Sequence, residues 1–255
     1  MILALDVGNT FITMGGLEED TIRFKAHLET RIQKTADEYA VDIRNLLALY
    51  EVDEPMEGAI ISSVVPQLTG VLRSAAYKIT GKLPLVVGPG VKTGLNITID
   101  NPSQLGSDLA VGAVAAVAEY PRPLVVIDMG TAMVFSVVDA AGKFRGGMIA
   151  PGIRVSLDAL RGQTSQLPGI TIQAPKSVIG TNTDDCMKSG IVYGSACLID
   201  GMCRRVEEEL GQPVTVIATG ELAADITACC TRQVIADNDL VLKGLRLIYR
   251  KNQKP

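Results

Sequence analysis

A short apolar run followed by Asp, one variable residue, Gly and a small polar residue occurs twice in this 255-residue chain. The first copy is ILALDVGNT at residues 2–10, and the second is LVVIDMGTA at residues 124–132. Each copy is typical of a buried strand that ends in a turn. One such turn is a common hairpin connection, but two widely separated copies predict two α/β units of similar design.

The segments after each copy follow a common order of elements. Residues 11–30 predict two further strands with acidic residues in the turn between them, and residues 133–147 predict a second hairpin. Short buried strands are expected in GAIISSVVP, LPLVVGPG and VTVIATG. Helices are expected after a capping box at Thr35–Glu38 and at 67–80, 106–120, 155–162, 184–209 and 240–250. We therefore predict tandem domains at 1–120 and 121–255.

Composition restricts the class of protein. The chain is 47% hydrophobic and 20% charged, so it can bury a sizeable core. Its net charge is −4 and no Lys/Arg stripe stands out, so we expect no nucleic-acid partner. Five cysteines at spacings that match no zinc pattern predict reduced thiols and a cytoplasmic protein. We expect neither a signal peptide nor a membrane span, because no basic leader or long uninterrupted apolar run is present.

The doubled turn has a specific chemical use. A glycine lets the backbone approach a phosphate closely, and Asn or Thr adds side-chain donors. An Asp at the strand end repels a phosphate but can hold a cation that binds one. Asp6 and Asp128 are therefore candidate metal or cation ligands. The candidate phosphate-binding residues are Gly8, Asn9, Thr10, Gly130 and Thr131. His27 is the only histidine, so acid–base chemistry falls to carboxylates.

These motifs resemble the actin, Hsp70 and sugar-kinase superfamily, and more narrowly the type III pantothenate kinases. The segments that carry this resemblance are DVGNT at 6–10, ISSVVP at 61–66, PLVVGPGVKTGLNI at 84–97, GSDL at 106–109, DMGTA at 128–132, GGMIAPGI at 146–153, IGTNT at 179–183, SGIVYG at 189–194, ATGELA at 218–223 and LKGLRLIY at 242–249. The resemblance implies an α/β fold of two tandem ribonuclease-H-like (actin-like ATPase) domains with an interdomain cleft. It implies phosphorylation of pantothenate by ATP, the first step of coenzyme A synthesis, with Mg²⁺, a monovalent cation (K⁺ or NH₄⁺) and a homodimer.

Carried over position by position, the resemblance assigns roles to residues. Those implied to hold ATP are Asp6, Val7, Gly8, Asn9, Thr10, Phe11, Ile12, Thr13, Thr131 and Gly220. Those implied to contact pantothenate are Ile99, Gly106, Ser107, Asp108, Leu109 and Thr183. Asp128 would bind the monovalent cation, and Asp108 would be the general base. By propensity alone Asp108 would be a helix N-cap, but a primary alcohol must lose a proton as it attacks, and a carboxylate can accept it.

Five positions depart from the pattern of the family, including Ser107, which stands where the family has an Ala. Leu109 stands where the family has an Arg that would pair with the pantothenate carboxylate, and Ile99 replaces a Tyr. Met133 and Glu221 alter the second phosphate turn and the adenosine motif. Three interpretations stay open: a pantothenate kinase with modified contacts, a kinase for a different alcohol, or a catalytically impaired nucleotide-binding paralogue that regulates or partners an active one.

Overall fold

The computed structural model describes residues 1–253, which contain eleven strands and seven α-helices. The strands are β1 (Ile2–Val7), β2 (Phe11–Leu17), β3 (Ile22–Glu29), β4 (Gly58–Ser63), β5 (Leu85–Val86), β6 (Asn96–Ile97), β7 (Leu124–Met129), β8 (Ala132–Val138), β9 (Lys143–Pro151), β10 (Thr215–Thr219) and β11 (Ile235–Ala236). The helices are α1 (Ala36–Leu49), α2 (Pro66–Thr80), α3 (Ser107–Glu119), α4 (Ile153–Gly162), α5 (Thr183–Leu210), α6 (Ala223–Thr227) and α7 (Leu240–Asn252). None of the helices in these residues is long and apolar enough to cross a membrane.

Contacts within the chain divide it into two compact units. The first unit comprises residues 1–95, residues 101–115 and the segment that begins at Leu240. The second unit comprises residues 96–100 and 116–239. The predicted division at 120/121 differs from this one chiefly because α7 belongs to the first unit. The sequence pattern shows that α7 is amphipathic but does not show which sheet it covers.

The first unit is built on a five-stranded sheet in the order β3-β2-β1-β4-β5, with β1 and β4 parallel. Alternate residues of β1 face opposite sides of this sheet, as strand geometry requires. Leu3 and Leu5 pack with the residues of α1 and α2, whereas Ile2 and Ala4 pack with α7. Both faces of the sheet are therefore covered, which explains why β1 and β4 are almost continuously apolar.

Helix α3 is nearly apolar all round, which raises the question of what covers it. Its Val111 and Ala113 are fully buried within the single chain. Gly244 of α7 meets the Val111 carbonyl so closely that a Cβ at Gly244 would collide with it. Leu240 lies beside Gly112, where an added Cβ would make an ordinary van der Waals contact of 3.8 Å with Leu240 Cδ2. The chain itself therefore accounts for the burial of this helix, and its apolar surface gives no support to a subunit interface.

The second unit repeats the design of the first. Its six-stranded sheet has the order β11-β10-β7-β8-β9-β6, so β9-β8-β7-β10-β11 matches β3-β2-β1-β4-β5 strand for strand. The extra strand β6 pairs with β9 in parallel. Residues of α5 and α6 pack against Val125, Ile127 and Phe135 of this sheet. The prediction of two similar α/β units in tandem is confirmed.

Local sequence signals explain where several helices and strands begin or end. The Thr35 side chain accepts from Glu38 N while the Glu38 carboxylate accepts from Thr35 N, so the predicted capping box begins α1 at Ala36. Pro66 occupies the first turn of α2, where a missing N–H costs nothing. The strand predicted to stop at Pro66 ends at Ser63, and its carboxyl end belongs to the candidate site.

Candidate functional site

The first Asp-x-Gly turn joins β1 to β2 at the carboxyl end of β1. Gly8 N donates to Phe11 O at 3.0 Å, and Thr30 Oγ1 donates to Gly8 O at 2.7 Å, which fixes the backbone of the turn. Asn9 and Thr10 are exposed, as a ligand-binding turn requires. Other residues of the predicted ATP segment differ in exposure: Asp6, Gly8 and Thr13 are half-buried, Phe11 is exposed, and Val7 and Ile12 are fully buried. Val7 and Ile12 can therefore offer a ligand only their backbone.

Asp6 lies beside a buried hydroxyl. It is in register with Thr13 of β2 and with Ser62 of the parallel strand β4. Because side chains alternate along a strand, Asp6 is on the same face as Ala4, and Ser62 is on the same face as Ile60. Ala4 and Ile60 belong to one apolar cluster, so Asp6 and Ser62 are neighbours on one side of the sheet.

The second turn joins β7 to β8 and repeats this arrangement. Asp128 is half-buried and in register with Thr219 of the parallel strand β10. Gly130 N donates to Ala132 O at 3.1 Å, and Thr131 is exposed. Each unit therefore places a half-buried Asp next to a buried hydroxyl residue, at the point where a glycine turn begins.

The backbone at position 220 requires a glycine. Gly220 follows β10 directly, its φ is +114°, and an added Cβ would lie 2.7 Å from Met129 O. A side chain there would strain the backbone and push the β7 strand end away. Met133, one of the departures from the family pattern, is buried in the core of the second unit, so it neither adds nor blocks a polar group in the turn.

Side chains alone form no metal site among residues 1–253, because no three His, Cys, Asp or Glu side chains converge there. A divalent ion at either turn would take most of its ligands from phosphate oxygens and water, which is how Mg²⁺ is commonly held with nucleotides. Single half-buried carboxylates beside glycine turns fit this requirement.

Asp108 occupies the first turn of α3. Its Oδ1 accepts from Leu109 N at 2.8 Å. Burial raises the pKa of Asp108 above its ordinary value, and hydrogen bonds from backbone N–H groups only partly oppose this. A Cβ at Gly106 would lie 2.5 Å from the same Oδ1, so the glycine leaves room for the carboxyl group. A half-buried carboxyl group with a raised pKa has the properties of a general base.

The first unit brings Asp6 and the Gly106–Leu109 motif to one edge of its sheet. The Ser107 hydroxyl lies 3.0 Å from Ser62 Oγ, and Ser62 is the register partner of Asp6. The base candidate therefore begins its helix beside the strand ends that carry the first turn. Leu109 is half-buried and offers no side-chain donor.

The other predicted acceptor residues belong to the second unit. Ile99 is half-buried near Gly146, whose added Cβ would lie 3.7 Å from Ile99 Cγ2. Thr183 is exposed at the first position of α5, after an N-cap in which the Asn182 side chain accepts from Asp185 N at 2.9 Å. Their convergence with Asp108 on one acceptor stays a prediction.

Glu221 has a partner that the sequence reading missed. Arg154 Nη2 lies 2.9 Å from Glu221 Oε1, and both side chains are more than half exposed. Gly152, two residues before Arg154, donates to Thr131 O at 3.1 Å, so the pair belongs to the surroundings of the second turn. An exposed ion pair with Arg154 therefore partly compensates the negative charge that Glu221 places near the second turn. Only the basic character of Arg154 could have suggested the pairing, because the two residues are far apart in sequence.

Comparison with known proteins identifies the family. A family model for type III pantothenate kinase matches residues 2–205. The type III pantothenate kinase of Halalkalibacterium halodurans is 43% identical over 253 residues, covering 99% of this chain and 100% of the relative. That of Rhodospirillum centenum is 45% identical over 258 residues, covering 99% of each chain.

A solved structure supports the fold class independently. The activator of the 2-hydroxyisocaproyl-CoA dehydratase from Clostridium difficile, with bound ADPNP, superposes with a TM-score of 0.57 at 12% identity, covering 100% of this chain and 98% of that one. This likeness concerns the fold alone, and it confirms the predicted class of tandem ribonuclease-H-like units of the actin-like type. Because the family model and the full-length relatives agree, this chain belongs to the type III pantothenate kinase family.

Proposed function

We propose that this chain transfers the γ-phosphoryl group of ATP to the terminal hydroxyl of pantothenate, giving 4′-phosphopantothenate in the first step of coenzyme A synthesis. The observation that carries the proposal is the position of Asp108, half-buried at the start of α3 and on the same sheet edge as the Asp6 turn. Full-length relatives named as type III pantothenate kinases support the choice of acceptor.

The two turns are the proposed ATP-binding elements. Asn9 and Thr10 would contact phosphate oxygens through side chains and backbone, because both are exposed at a turn whose geometry is already fixed. Thr131 is the corresponding exposed residue of the second turn. Gly220 would let the nucleotide approach the backbone after β10, since no side chain can occupy that position.

Cations complete the proposed nucleotide site. Asp6 would help to hold Mg²⁺ and Asp128 a monovalent cation, K⁺ or NH₄⁺, because each is a half-buried carboxylate at the end of a strand. Bound there, these ions would neutralise negative charge on the phosphates. The protein contributes the fixed position of the carboxylates, which the β1–β4 and β7–β10 pairings set.

Asp108 is the proposed base for the acceptor hydroxyl. One carboxylate oxygen would accept the proton that the hydroxyl loses as it attacks phosphorus. Burial raises the pKa of Asp108, which makes its carboxylate a stronger base than that of an exposed Asp. Leu109 would contact apolar parts of the acceptor together with Ile99, and Thr183 would donate a hydroxyl. The acceptor carboxylate finds no guanidinium at residue 109, so we expect a high Michaelis constant.

A homodimer and a cytoplasmic location are parts of the same proposal. Ile149 and Ile179 are each about four-fifths exposed (78% and 82%), and Val178 is 63% exposed, so the second unit has large apolar side chains that a partner subunit would cover. All five cysteines are free thiols, in keeping with a reducing compartment. Light scattering at micromolar concentration tests the dimer, and a single monomeric mass would contradict it.

A coupled assay of ADP release across a small panel of alcohols tests the proposed activity. The panel contains pantothenate, the neutral alcohols pantothenol and pantetheine, a hexose and a no-acceptor control, each with ATP, Mg²⁺ and K⁺. We expect ADP release that requires pantothenate and disappears with Asp108→Asn. ADP release with only a neutral alcohol would identify a different kinase, and nucleotide binding without turnover on any acceptor would identify an impaired paralogue.

A further inference from the structure

The hydroxyl of Ser107 has an unusual set of partners for a residue at the start of a helix. Ser63 N donates to Ser107 Oγ at 3.0 Å, and Ser107 Oγ donates to Ser63 O at 3.1 Å. Ser62 Oγ lies 3.0 Å from the same oxygen. All three partners belong to the last two residues of β4 and lie 44 or 45 positions away in sequence.

These contacts use the whole hydrogen-bonding capacity of the side chain. A serine hydroxyl has one donor and two acceptor positions. Its donor goes to Ser63 O, one acceptor position takes the Ser63 N–H, and the other takes the Ser62 hydroxyl, which must then be the donor of that pair. Ser62 is fully buried, so its hydroxyl needs this partner. No capacity remains on Ser107 for a substrate.

The three hydrogen bonds between Ser107 and the end of β4 form a linkage that connects two parts of the proposed site. On the strand side it ends at Ser62, the register partner of Asp6. On the helix side it holds the residue that immediately precedes Asp108. The backbone on either side of Ser107 is thereby fixed to β4, and Gly106 leaves Asp108 Oδ1 its space.

We propose that Ser107 is a positioning residue, whose hydroxyl pairs with Ser62 and Ser63 to hold the Asp108 carboxylate at a set distance from the Asp6 turn. This role replaces direct contact with pantothenate, and it rests on the proposed function of Asp108 as the base. Small displacements of a reacting group carry large costs in rate, so losing the linkage should affect turnover far more than substrate binding.

Ser107→Ala removes all three side-chain hydrogen bonds without adding volume. We expect kcat for pantothenate to fall about 10- to 100-fold, with the Michaelis constants for ATP and pantothenate changed less than about threefold. Release of the helix end should also admit water to Asp108. Because burial raises the pKa of that carboxyl group, hydration should shift the acidic limb of the kcat–pH profile to lower pH.

Three further variants make the test specific. Ser107→Thr keeps the hydroxyl and should recover part of the lost kcat. Ser62→Ala should reproduce part of the defect, and its combination with Ser107→Ala should add little, since the two hydroxyls form one linkage. Ser74→Ala is the matched control, because it removes an exposed serine hydroxyl that bonds only within α2. It should leave kcat and the pH profile unchanged.

The outcomes separate this proposal from general destabilisation and from failure of the proposed function. A wild type without pantothenate-dependent turnover would remove the proposed function, and this inference would fall with it. An active wild type with Ser107→Ala unchanged in kcat within twofold would overturn the positioning role alone. A fall in kcat at every pH, with the acidic limb of the kcat–pH profile unmoved, would also overturn the positioning role. That result would indicate a smaller folded fraction of enzyme and not a displaced carboxylate. Thermal unfolding, monitored by circular dichroism, measures the folded fraction of each variant.

Discussion

Replacement of Asp108 by Asn should slow turnover and stabilise the fold at the same time. Asn has the same shape and keeps an oxygen that can accept from Leu109 N, as Asp108 Oδ1 does at 2.8 Å. It cannot accept the proton of the attacking hydroxyl. The Gly106–Leu109 motif contains no other titratable side chain, so the whole contribution of the base should be lost.

The expected fall in kcat is about 10²- to 10⁴-fold, the usual contribution of a general base. At about 1.36 kcal/mol per tenfold change, this corresponds to about 2.7–5.4 kcal/mol in activation free energy. ATP binding should change little, because none of the predicted ATP residues lies on α3. Steady-state kinetics and calorimetric titration of ATP measure the two quantities separately.

The effect on stability has a definite sign and pH dependence. Burial raises the pKa of Asp108 in the folded state above its unfolded value. Such a carboxyl group contributes stability that is present below the unfolded pKa and is lost as pH rises through the folded pKa. Above the folded pKa the wild type therefore contains a desolvated charge that Asp108→Asn removes. The melting temperature of the variant should exceed that of the wild type at pH 8, and the difference should shrink toward pH 4.

Two results would refute this reasoning. If kcat survives within about fivefold, Asp108 is only a helix-start residue and the base lies elsewhere. If the variant is not more stable than the wild type at pH 8, or if its gain is the same at pH 4, burial does not raise the pKa of this carboxyl group enough to matter.

Three further predictions concern residues around the two turns. Leu109→Arg should lower the Michaelis constant for pantothenate about tenfold by offering its carboxylate a planar guanidinium, and it should lower the pKa of the adjacent Asp108. Glu221→Gln should free Arg154 for phosphate and tighten ATP binding by at most about fivefold, since an exposed ion pair is worth about 0.2–1 kcal/mol. Gly220→Ala should cost about 1–3 kcal/mol in unfolding free energy and weaken ATP binding, because of its φ of +114° and its collision with Met129 O.

Matched variants control these predictions. Leu83→Arg adds the same charge at an exposed leucine and should leave the Michaelis constant unchanged. Glu19→Gln removes a carboxylate beyond the end of β2 that is distal to the Asp6 turn, and should not alter ATP affinity. Gly190→Ala is the control for Gly220→Ala, because it adds a Cβ in the same unit at a position with no atom within 4 Å. An unimproved Leu109→Arg, a weaker-binding Glu221→Gln or a Gly220→Ala as stable as Gly190→Ala would each contradict the corresponding argument.

The sequence was sufficient to predict the parts of the fold that depend on local periodicity and capping. The Asp6 and Asp128 turns, the hairpins that follow them and the capping box at Thr35 all depend on residues close together in the chain. The sequence does not predict the two-residue strands β6 and β11, because they lack the longer apolar run that indicates the equally short β5 in LPLVVGPG.

Contacts between distant segments could not be predicted in the same way. The amphipathic pattern of α7 shows that one face is buried, but only the structure shows that Gly244 packs on Val111. Arg154 and Glu221 carry no sequence signal for each other, and neither do Ser107 and the end of β4. Resemblance assigns the candidate site residues by position in the chain, and their roles stay predictions, whereas the environments of Ser107 and Glu221 required three-dimensional information.

Direct detection of the phosphorylated acceptor tests the central claim most closely. The purified wild type would be incubated with ATP, Mg²⁺, K⁺ and pantothenate, and the products followed by mass spectrometry with ADP measured in the same samples. We predict 4′-phosphopantothenate and ADP in equal amounts, with neither formed by Asp108→Asn above a background of about 1%. Release of ADP without phosphorylated pantothenate, or binding of ATP with no product at all, would contradict the account.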